Sequence, residues 1–439
     1  MKNQTSCTDD EPYLKIIKTD GFVESDYLSN LQKRICQNDK RIESEVRSIL
    51  DNIKDFGDSA LLEYNKKFDG VDNIQRLTQE DFKKAYDNTP NDLKRALNGA
   101  FKRIKSFHKK QLEKGYSIKT NSYELGQIVR GLSRVGIYIP GGTASYPSTV
   151  LMNAIPAKLA GVEQIVIFTP SQKNGILNND ILAAAYVAGV DELIGVGGAH
   201  GIAAAAYGTQ TIPKVDKIVG PGNIYVATAK RLVYGVCDID MIAGPSEIVI
   251  IADEFSNPEY IAADLISQAE HDVLASAILL TSSLSVAEKT VECISKQTQF
   301  LSRKTIIKNS LSSFGCAIVC KSLDEATFIA NEIAPEHLEI LTENPNILLG
   351  TIKNAGSVFL GEYSPEPLGD YYAGANHVLP TSGTARFFSP LSVSSFVKKM
   401  QFVNYNKRAL EEVKDDIICI AKREGFDGHA NSISVRFTN

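Results

Sequence analysis

Four of the six histidines stand in polar windows whose residue types can build a metal site with its own acid/base group. The windows are Gln268-Ala269-Glu270-His271, Pro335-Glu336-His337, Gly369-Asp370 with Asn376-His377, and Glu424 through His429. His108 and His200 are the other two. Imidazole and carboxylate suit zinc and similar divalent ions. A catalytic metal held by side chains keeps one coordination position open for substrate. An enzyme is therefore the leading reading.

Each window is weaker alone than in company. Gln268 and His271 lie three apart at a helix end, which puts both on one face. Such a pair is more often a solvated surface. Asp370 follows Gly369 in a loop rich in Gly, Pro and Tyr, and alone it is an ordinary turn residue. His429, in Asp427-Gly428-His429-Ala430, is equally plain by itself. Together the four supply two nitrogens, a carbonyl and a carboxylate. In Glu336-His337, Pro335 stops the preceding helix and the pair opens a strand. Successive strand residues point to opposite faces, so both reach one site only at the turn into that strand. An adjacent Glu and His there offer two acid/base groups, one titrating near neutrality. On spacing alone, a salt-bridged surface pair explains them better.

The elements that must position these residues are α/β. Residues 26–116 read mostly as helix and carry no recognisable chemistry, with Val46, Ile49, Leu50 and Ile53 at helical spacing. From Arg134 onward, short β-branched runs alternate with Ala-rich helical runs, which implies parallel sheets with crossover helices. One set of strands opens at 134, 164, 192 and 217, and a second at 247, 277, 316, 338 and 357. The fold class expected is α/β, two Rossmann-like parallel-sheet domains in tandem with helical N-terminal and C-terminal extensions. The expected boundaries are an extension over 1–34, one α/β domain from 35–138 with 246–390, and a second from 139–245. A C-terminal dimerisation segment follows over 391–439, mainly helical with a final strand over 432–437.

Three glycine clusters, Gly141-Gly142, Gly197-Gly198 and Gly220-Pro221-Gly222-Asn223, each follow a strand of the first set. Open parallel sheets bind ligands there. Gly195-Val196-Gly197-Gly198-Ala199-His200 begins like a dinucleotide fingerprint with Asp216 about 20 residues on. Its last position is His200 instead of Gly or Ala. Tight turns explain any one cluster; three together favour a nucleotide or substrate mouth.

Composition sets the outer limits. The chain has 439 residues, 43% hydrophobic and 23% charged, with net charge -5. That is an ordinary globular balance with room for two or more domains. No basic stripe points to nucleic acid, and no apolar run reaches membrane-spanning length. The N-terminus lacks an apolar signal core. The seven cysteines are scattered, with no Cys-x-x-Cys pair, so a reducing cytoplasm is the simplest setting.

The string Val135-Gly-Ile-Tyr-Ile-Pro-Gly-Gly-Thr143 resembles the histidinol dehydrogenase family. So do Val219-Gly-Pro-Gly-Asn223, Ala243-Gly-Pro-Ser-Glu247, Ser267-Gln-Ala-Glu-His271, Ala334-Pro-Glu-His-Leu338, Gly369-Asp370, Ala375-Asn-His-Val-Leu-Pro380 and Glu424-Gly425 with His429. They come in the family's order and span the chain from about 134 to 436. The resemblance implies oxidation of L-histidinol to L-histidine with two NAD molecules, the last step of histidine biosynthesis. It implies Zn2+ held by Gln268, His271, Asp370 and His429, and Glu336 and His337 as the acid/base pair. It implies substrate contacts at Ser246 and His377, at Glu424, and at Gln268, His271, His337, Asp370 and His429. NAD contacts carry over to Tyr138 and Asn223. The family usually has Gln where this chain has His200; His can also hydrogen-bond, so NAD binding is expected to survive. The family is a homodimer whose C-terminal segment enters the partner's site. In this reading His337 serves as base in both oxidations, and Glu336 activates the water that turns the aldehyde into a gem-diol. Cys237, in no polar motif, reads as a packed thiol rather than a thioester nucleophile. Two other readings compete: a zinc hydrolase, which would form no NADH, and a binding protein that has lost its chemistry, which would lack Glu336 or His337.

Overall fold

The computed structural model describes residues 13–33, 40–141, 146–171 and 177–438. The N-terminal stretch, Cys7, Cys36, Gly142 and Thr143 lie outside the described residues. Two six-stranded sheets carry most of the chain. In the first, β5 (Arg134–Tyr138), β6 (Gln164–Phe168), β7 (Glu192–Ile194), β8 (Lys217–Val219) and β9 (Asp238–Ile239) are parallel, in the order β7-β6-β5-β8-β9. A short strand, β2 (Arg76–Thr78), adds antiparallel beside β7. The order reverses between β5 and β8, and a reversal of this kind opens a crevice at the strands' carboxyl ends.

Period-two alternation builds both faces of this sheet. Ile165 and Ile167 pack in one cluster, Val166 and Phe168 in the other. The first cluster is covered by α4 (Gln79–Asp87), α5 (Asn91–His108), α6 (Pro147–Leu159) and α7 (Asn179–Ala188). The second is covered by α2 (Lys40–Phe56), α3 (Asp58–Phe68), α8 (Gly198–Tyr207) and α9 (Ile224–Val233).

The second sheet repeats the plan. Its order is β1-β12-β11-β10-β13-β14, with β10 (Glu247–Ala252), β11 (Ser276–Thr281), β12 (Cys316–Val319), β13 (His337–Leu341) and β14 (Ser357–Leu360). All are parallel, including β1 (Lys15–Lys18) at the edge. One face packs on α10 (Pro258–Ala269), α11 (Leu284–Thr298) and α12 (Lys304–Phe314), the other on α1 (Val23–Lys33), α13 (Leu323–Ile333) and α14 (Pro345–Leu349). Helix α10 starts where the sequence predicts, with Asn257 accepting from the Glu259 amide and Pro258 at the first helical position. A short helix, α15 (Glu366–Tyr371), follows β14.

The tail differs from expectation. Its first element is β15 (Val397–Tyr405), which pairs antiparallel along the whole of β4 (Tyr123–Gly131). With β3 (Tyr116–Lys119) these form a third sheet. Then come α16 (Lys407–Arg423) and α17 (Asp427–Ser434). The expected final strand over 432–437 is instead the end of α17 and its continuing turns, with Val435 N bonded to Asn431 O. The alternation Ile433, Val435, Phe437 reads as a strand, but no sheet edge meets it, while α16 offers an apolar partner for Ile433.

The strands also divide differently from the expected domains. Within 35–138, β2 and β5 belong to the first sheet with the strands of 139–245, and β3 and β4 to the third sheet; none of the four joins the sheet of 246–390. Among the described residues of the expected helical extension, Lys15–Lys18 form β1, which extends the second sheet beside β12. A three- or four-residue strand has too little periodicity to declare its sheet. Hydrogen bonding to a partner hundreds of residues away decides it.

Candidate active site

The turn between α13 and β13 sets the acid/base pair. Helix α13 ends at Ala334, a non-glycine residue at φ 51, and Pro335 prevents its continuation. Glu336 and His337 then enter the sheet beside β10, where His337 lies opposite Ile248. Both side chains are buried and close, with His337 Nδ1 3.7 Å from Glu336 Oε2. The sequence allowed this meeting only at such a turn. Glu336 Oε2 accepts from the Glu247 amide at 3.0 Å. His337 Nδ1–H donates to the Glu247 carbonyl at 3.1 Å. That bond fixes the tautomer and leaves Nε2 as the nitrogen facing the site.

Nε2 looks onto two carboxylates of α15. It lies 3.8 Å from Glu366 Oε1 and 3.8 Å from Asp370 Oδ1. One ligand atom each from His337, Glu366 and Asp370 falls within 4.8 Å of the others, close enough to share one cation. Burial pushes the Glu336 carboxyl up, against the charge of His337. Burial also disfavours the His337 cation, but Glu336, Asp370 and Glu366 outweigh it and hold its pKa well up. Burial raises the Glu366 carboxyl, and Asp370 adds to it. Asp370 is the reverse case: burial opposes its charge, yet His337 and His377 keep it ionised.

Gln268 follows Ser267, whose hydroxyl donates to Glu366 Oε2 at 3.0 Å. It sits fully buried on the last turn of α10, and neither atom of its carboxamide has a hydrogen-bond partner. His337 Nε2 and Glu366 Oε1 are also buried without one. Buried polar groups without partners are rare, so several converging here suit an absent polar ligand or a metal ion. The donor set of nitrogen, amide oxygen and carboxylate fits a divalent cation.

His271 follows α10; part of its surface is exposed while its ring is crowded by its neighbours. Burial of its ring lowers its pKa, and the charges of Asp370 and His337 both reach it. Ser246 is half-buried directly before β10, its carbonyl bonded to the Ser276 amide at 3.0 Å. His377 Nδ1–H donates to the Asp370 carbonyl at 3.0 Å, and its Nε2 lies 3.4 Å from Thr149 Oγ1 of α6. The two halves of the chain therefore meet at His377. Glu424 and His429 do not join this centre. They are exposed and line a separate groove of about 420 Å³ formed by α16 and α17, with Ile417, Ile420, Ser432 and Ile433.

A larger cavity, about 1080 Å³, runs along the carboxyl edge of the first sheet. It is lined by Tyr138 after β5, Gly198 and His200 after β7, and Asn223 after β8, at the β5/β8 reversal. The Gly198 amide donates to Tyr138 Oη at 3.0 Å, and burial pushes the Tyr138 phenol up to about 12, so it keeps its proton to donate. Asn223 caps α9, accepting from the Tyr225 and Val226 amides. Gly220 has φ +106, and a side chain there would meet the Tyr138 carbonyl at 2.2 Å, so this turn demands glycine.

A family model described as histidinol dehydrogenase matches residues 32–437. The chain belongs to the histidinol dehydrogenase family. It is 54% identical over 430 residues to the histidinol dehydrogenase of Clostridium acetobutylicum, covering 97% of this chain and 100% of that protein. It is 56% identical over 399 residues to the one from Listeria innocua, covering 90% and 93%. The crystal structure of histidinol dehydrogenase from Elizabethkingia anophelis superposes with a TM-score of 0.90 at 37% identity, covering 97% of this chain and 98% of that one. The protein is thus a histidinol dehydrogenase-family oxidoreductase.

Two parts of this family member's candidate sites carried no signal in the reading of its sequence. Glu366 stands one helical turn before Asp370, and the i, i+4 spacing of two acids was the available clue. The outer wall of the large cavity comes from α2 and α3, including Arg41, Glu45, Tyr64, Phe68 and Asp69. Their helices show only ordinary amphipathic patterning.

Proposed function

We propose that this protein oxidises L-histidinol to L-histidine through bound L-histidinaldehyde, passing two hydrides to two NAD molecules in the last step of histidine biosynthesis. The observation that carries this reading is the cluster of His337, Glu366 and Asp370, in which His337 Nε2 and Glu366 Oε1 are buried and unpartnered. Gln268, His271 and Asp370, with His429 of the partner subunit, would hold Zn2+. The bound ion would orient the substrate and balance the negative charge of the carboxylates.

The chain's own residues do the proton work. His337, held by the Glu247 carbonyl, presents Nε2 to the alcohol and takes its proton as hydride leaves. Glu336 takes a proton from the water that attacks the aldehyde while His337 returns its proton to the carbonyl oxygen, and His337, neutral again, takes a proton from the resulting diol as it gives up the second hydride. Ser246 and His377 would contact the substrate, with Glu424 of the partner subunit. Tyr138, His200 and Asn223 serve the NAD cavity, where the N-termini of α8 and α9 favour a pyrophosphate. The protein works as a homodimer with shared sites, in the cytoplasm; the five described cysteines, all free, support a reducing setting.

The test is absorbance at the NADH band with purified protein, L-histidinol, NAD and zinc. Two NADH per histidinol are expected. Chelation should abolish the signal and added zinc restore it. Full activity in a preparation shown metal-free by elemental analysis would overturn the zinc role, and absence of NADH would overturn the whole reading.

A further inference from the structure

We infer that Asp69 reads the adenosine ribose hydroxyls of the dinucleotide and excludes one that carries a 2′-phosphate. This rests on the NAD reading above and names its selectivity residue.

Asp69 closes α3, and its backbone amide donates to the Asn65 carbonyl at 2.9 Å. Its side chain lines the large cavity, and Oδ2 is buried with no hydrogen-bond partner. The nearest cationic candidate is His200, whose Nε2 lies 3.9 Å away. That nitrogen is engaged elsewhere, 3.1 Å from Asn65 Oδ1. The His200 ring also packs beside Tyr64 and Phe68, with centroids 6.0 and 5.6 Å away. Burial holds the His200 pKa down at about 4, so it brings no counter-charge at neutral pH. The other cations lining the cavity, Arg41 and Lys67, are exposed at its rim.

A carboxylate only accepts hydrogen bonds. One with a buried oxygen and no donor is costly until a ligand supplies O–H groups. A ribose diol supplies two. A phosphate monoester supplies none at neutral pH and adds about 1.5 to 2 negative charges beside Asp69. The same ligand class therefore meets opposite outcomes at this one side chain.

The fold decides which ribose this is. Asp69 lies on the face of the first sheet covered by α2, α3, α8 and α9. His377 docks on the opposite face, through Thr149 of α6, beside the His337 centre. The nicotinamide must reach His337, so the dinucleotide crosses the carboxyl edge of the sheet. The ribose left beside Asp69 is then the adenosine one.

The experiment uses the full-length, zinc-loaded enzyme with L-histidinol and either NAD or NADP. Wild type should show kcat/KM at least 100-fold higher for NAD. Asp69→Asn should shrink that gap at least tenfold, acting through KM with kcat for NAD held within threefold. Asp69→Ser serves as the second variant, and NADH and NADPH binding by fluorescence gives a readout independent of turnover. Wild type should also bind NAD lacking the adenosine 2′-hydroxyl at least fivefold more weakly than NAD. A wild type that does not discriminate, or a gap unchanged within twofold in a folded variant, would overturn the assignment while leaving the NAD reading intact. A wild type that neither binds nor reduces either dinucleotide would overturn both.

Discussion

At the residue scale, the same burial has opposite uses at two histidines. His337 is ringed by carboxylates and its pKa is held up; His200 has aromatic neighbours and is held down at about 4. The second case makes a stability prediction. In the unfolded chain a histidine takes up its proton near its ordinary value of about 6.5. Folded, His200 stays neutral until about 4. Above the unfolded value both states are neutral and His200 contributes no pH dependence. As pH falls between the two values, only the unfolded state gains the proton, so the fold loses stability, by about 3 kcal/mol at the lower end. His200→Gln keeps a hydrogen-bonding side chain and removes this titration. Thermal midpoints at several pH values between 7.5 and 4.5 should therefore fall less steeply in the variant than in wild type. Parallel curves would show that His200 is not a buried neutral group.

At the element scale, one ion pair sets the loop that ends in Asn223. Lys230 of α9 and Asp240 are both buried and paired. Lys230 Nζ donates to the Gly220 carbonyl at 2.8 Å, and Asp240 Oδ2 accepts from the Gly220 amide at 2.8 Å. The pair thus clamps both backbone groups of the one residue that must be glycine. Lys230→Met leaves a buried charge uncompensated, which costs about 3–5 kcal/mol. The thermal midpoint should drop accordingly, and KM for NAD should rise. Adding Asp240→Asn keeps an acceptor for the Gly220 amide and removes the stranded charge, so the double variant should recover part of the midpoint. If the double variant is less stable than Lys230→Met, charge stranding is not the cause. What the sequence made legible at this scale was local. Pro335 marked the turn that joins Glu336 to His337, and the glycine clusters marked the carboxyl edge of the first sheet. Glu366 was not legible, because its place beside His337 depends on β13 and α15 packing together. Nor was β15, whose largely exposed face has no clear alternation and whose partner β4 is more than half the chain's length away. The α2–α3 wall was hidden for the same reason: Asp69 acquires its chemistry only where α3 packs beside α8, which buries its Oδ2 without a hydrogen-bond partner.

At the scale of the whole molecule, the centre around His337 and the groove holding His429 have no residue in common. The groove is lined by α16, its capping Glu424 and α17, and none of His337, Glu366 and Asp370 lines it. Around it Ile420, Phe426 and Val435 are exposed at 60%, 52% and 51%, apolar surface that a second copy of the chain would cover. An exchanged tail would place His429 of the partner subunit at the open mouth beside His271. Two inactive variants test this. In a mixed dimer of His271→Asn and His429→Asn, an exchanged tail gives one site with both defects and one with neither. Unfolding and refolding an equal mixture makes half the dimers mixed, each with one intact site of two, so about a quarter of wild-type specific activity should return. If every ligand came from the same chain, each site in the mixed dimer would keep one defect and no activity would return. Brief mixing of the folded proteins should recover much less, since recovery requires the subunits to part. Mixed dimers confirmed by mass and still inactive would refute the exchange, and would require His429 to reach His271 within its own chain by a movement of α16 and α17.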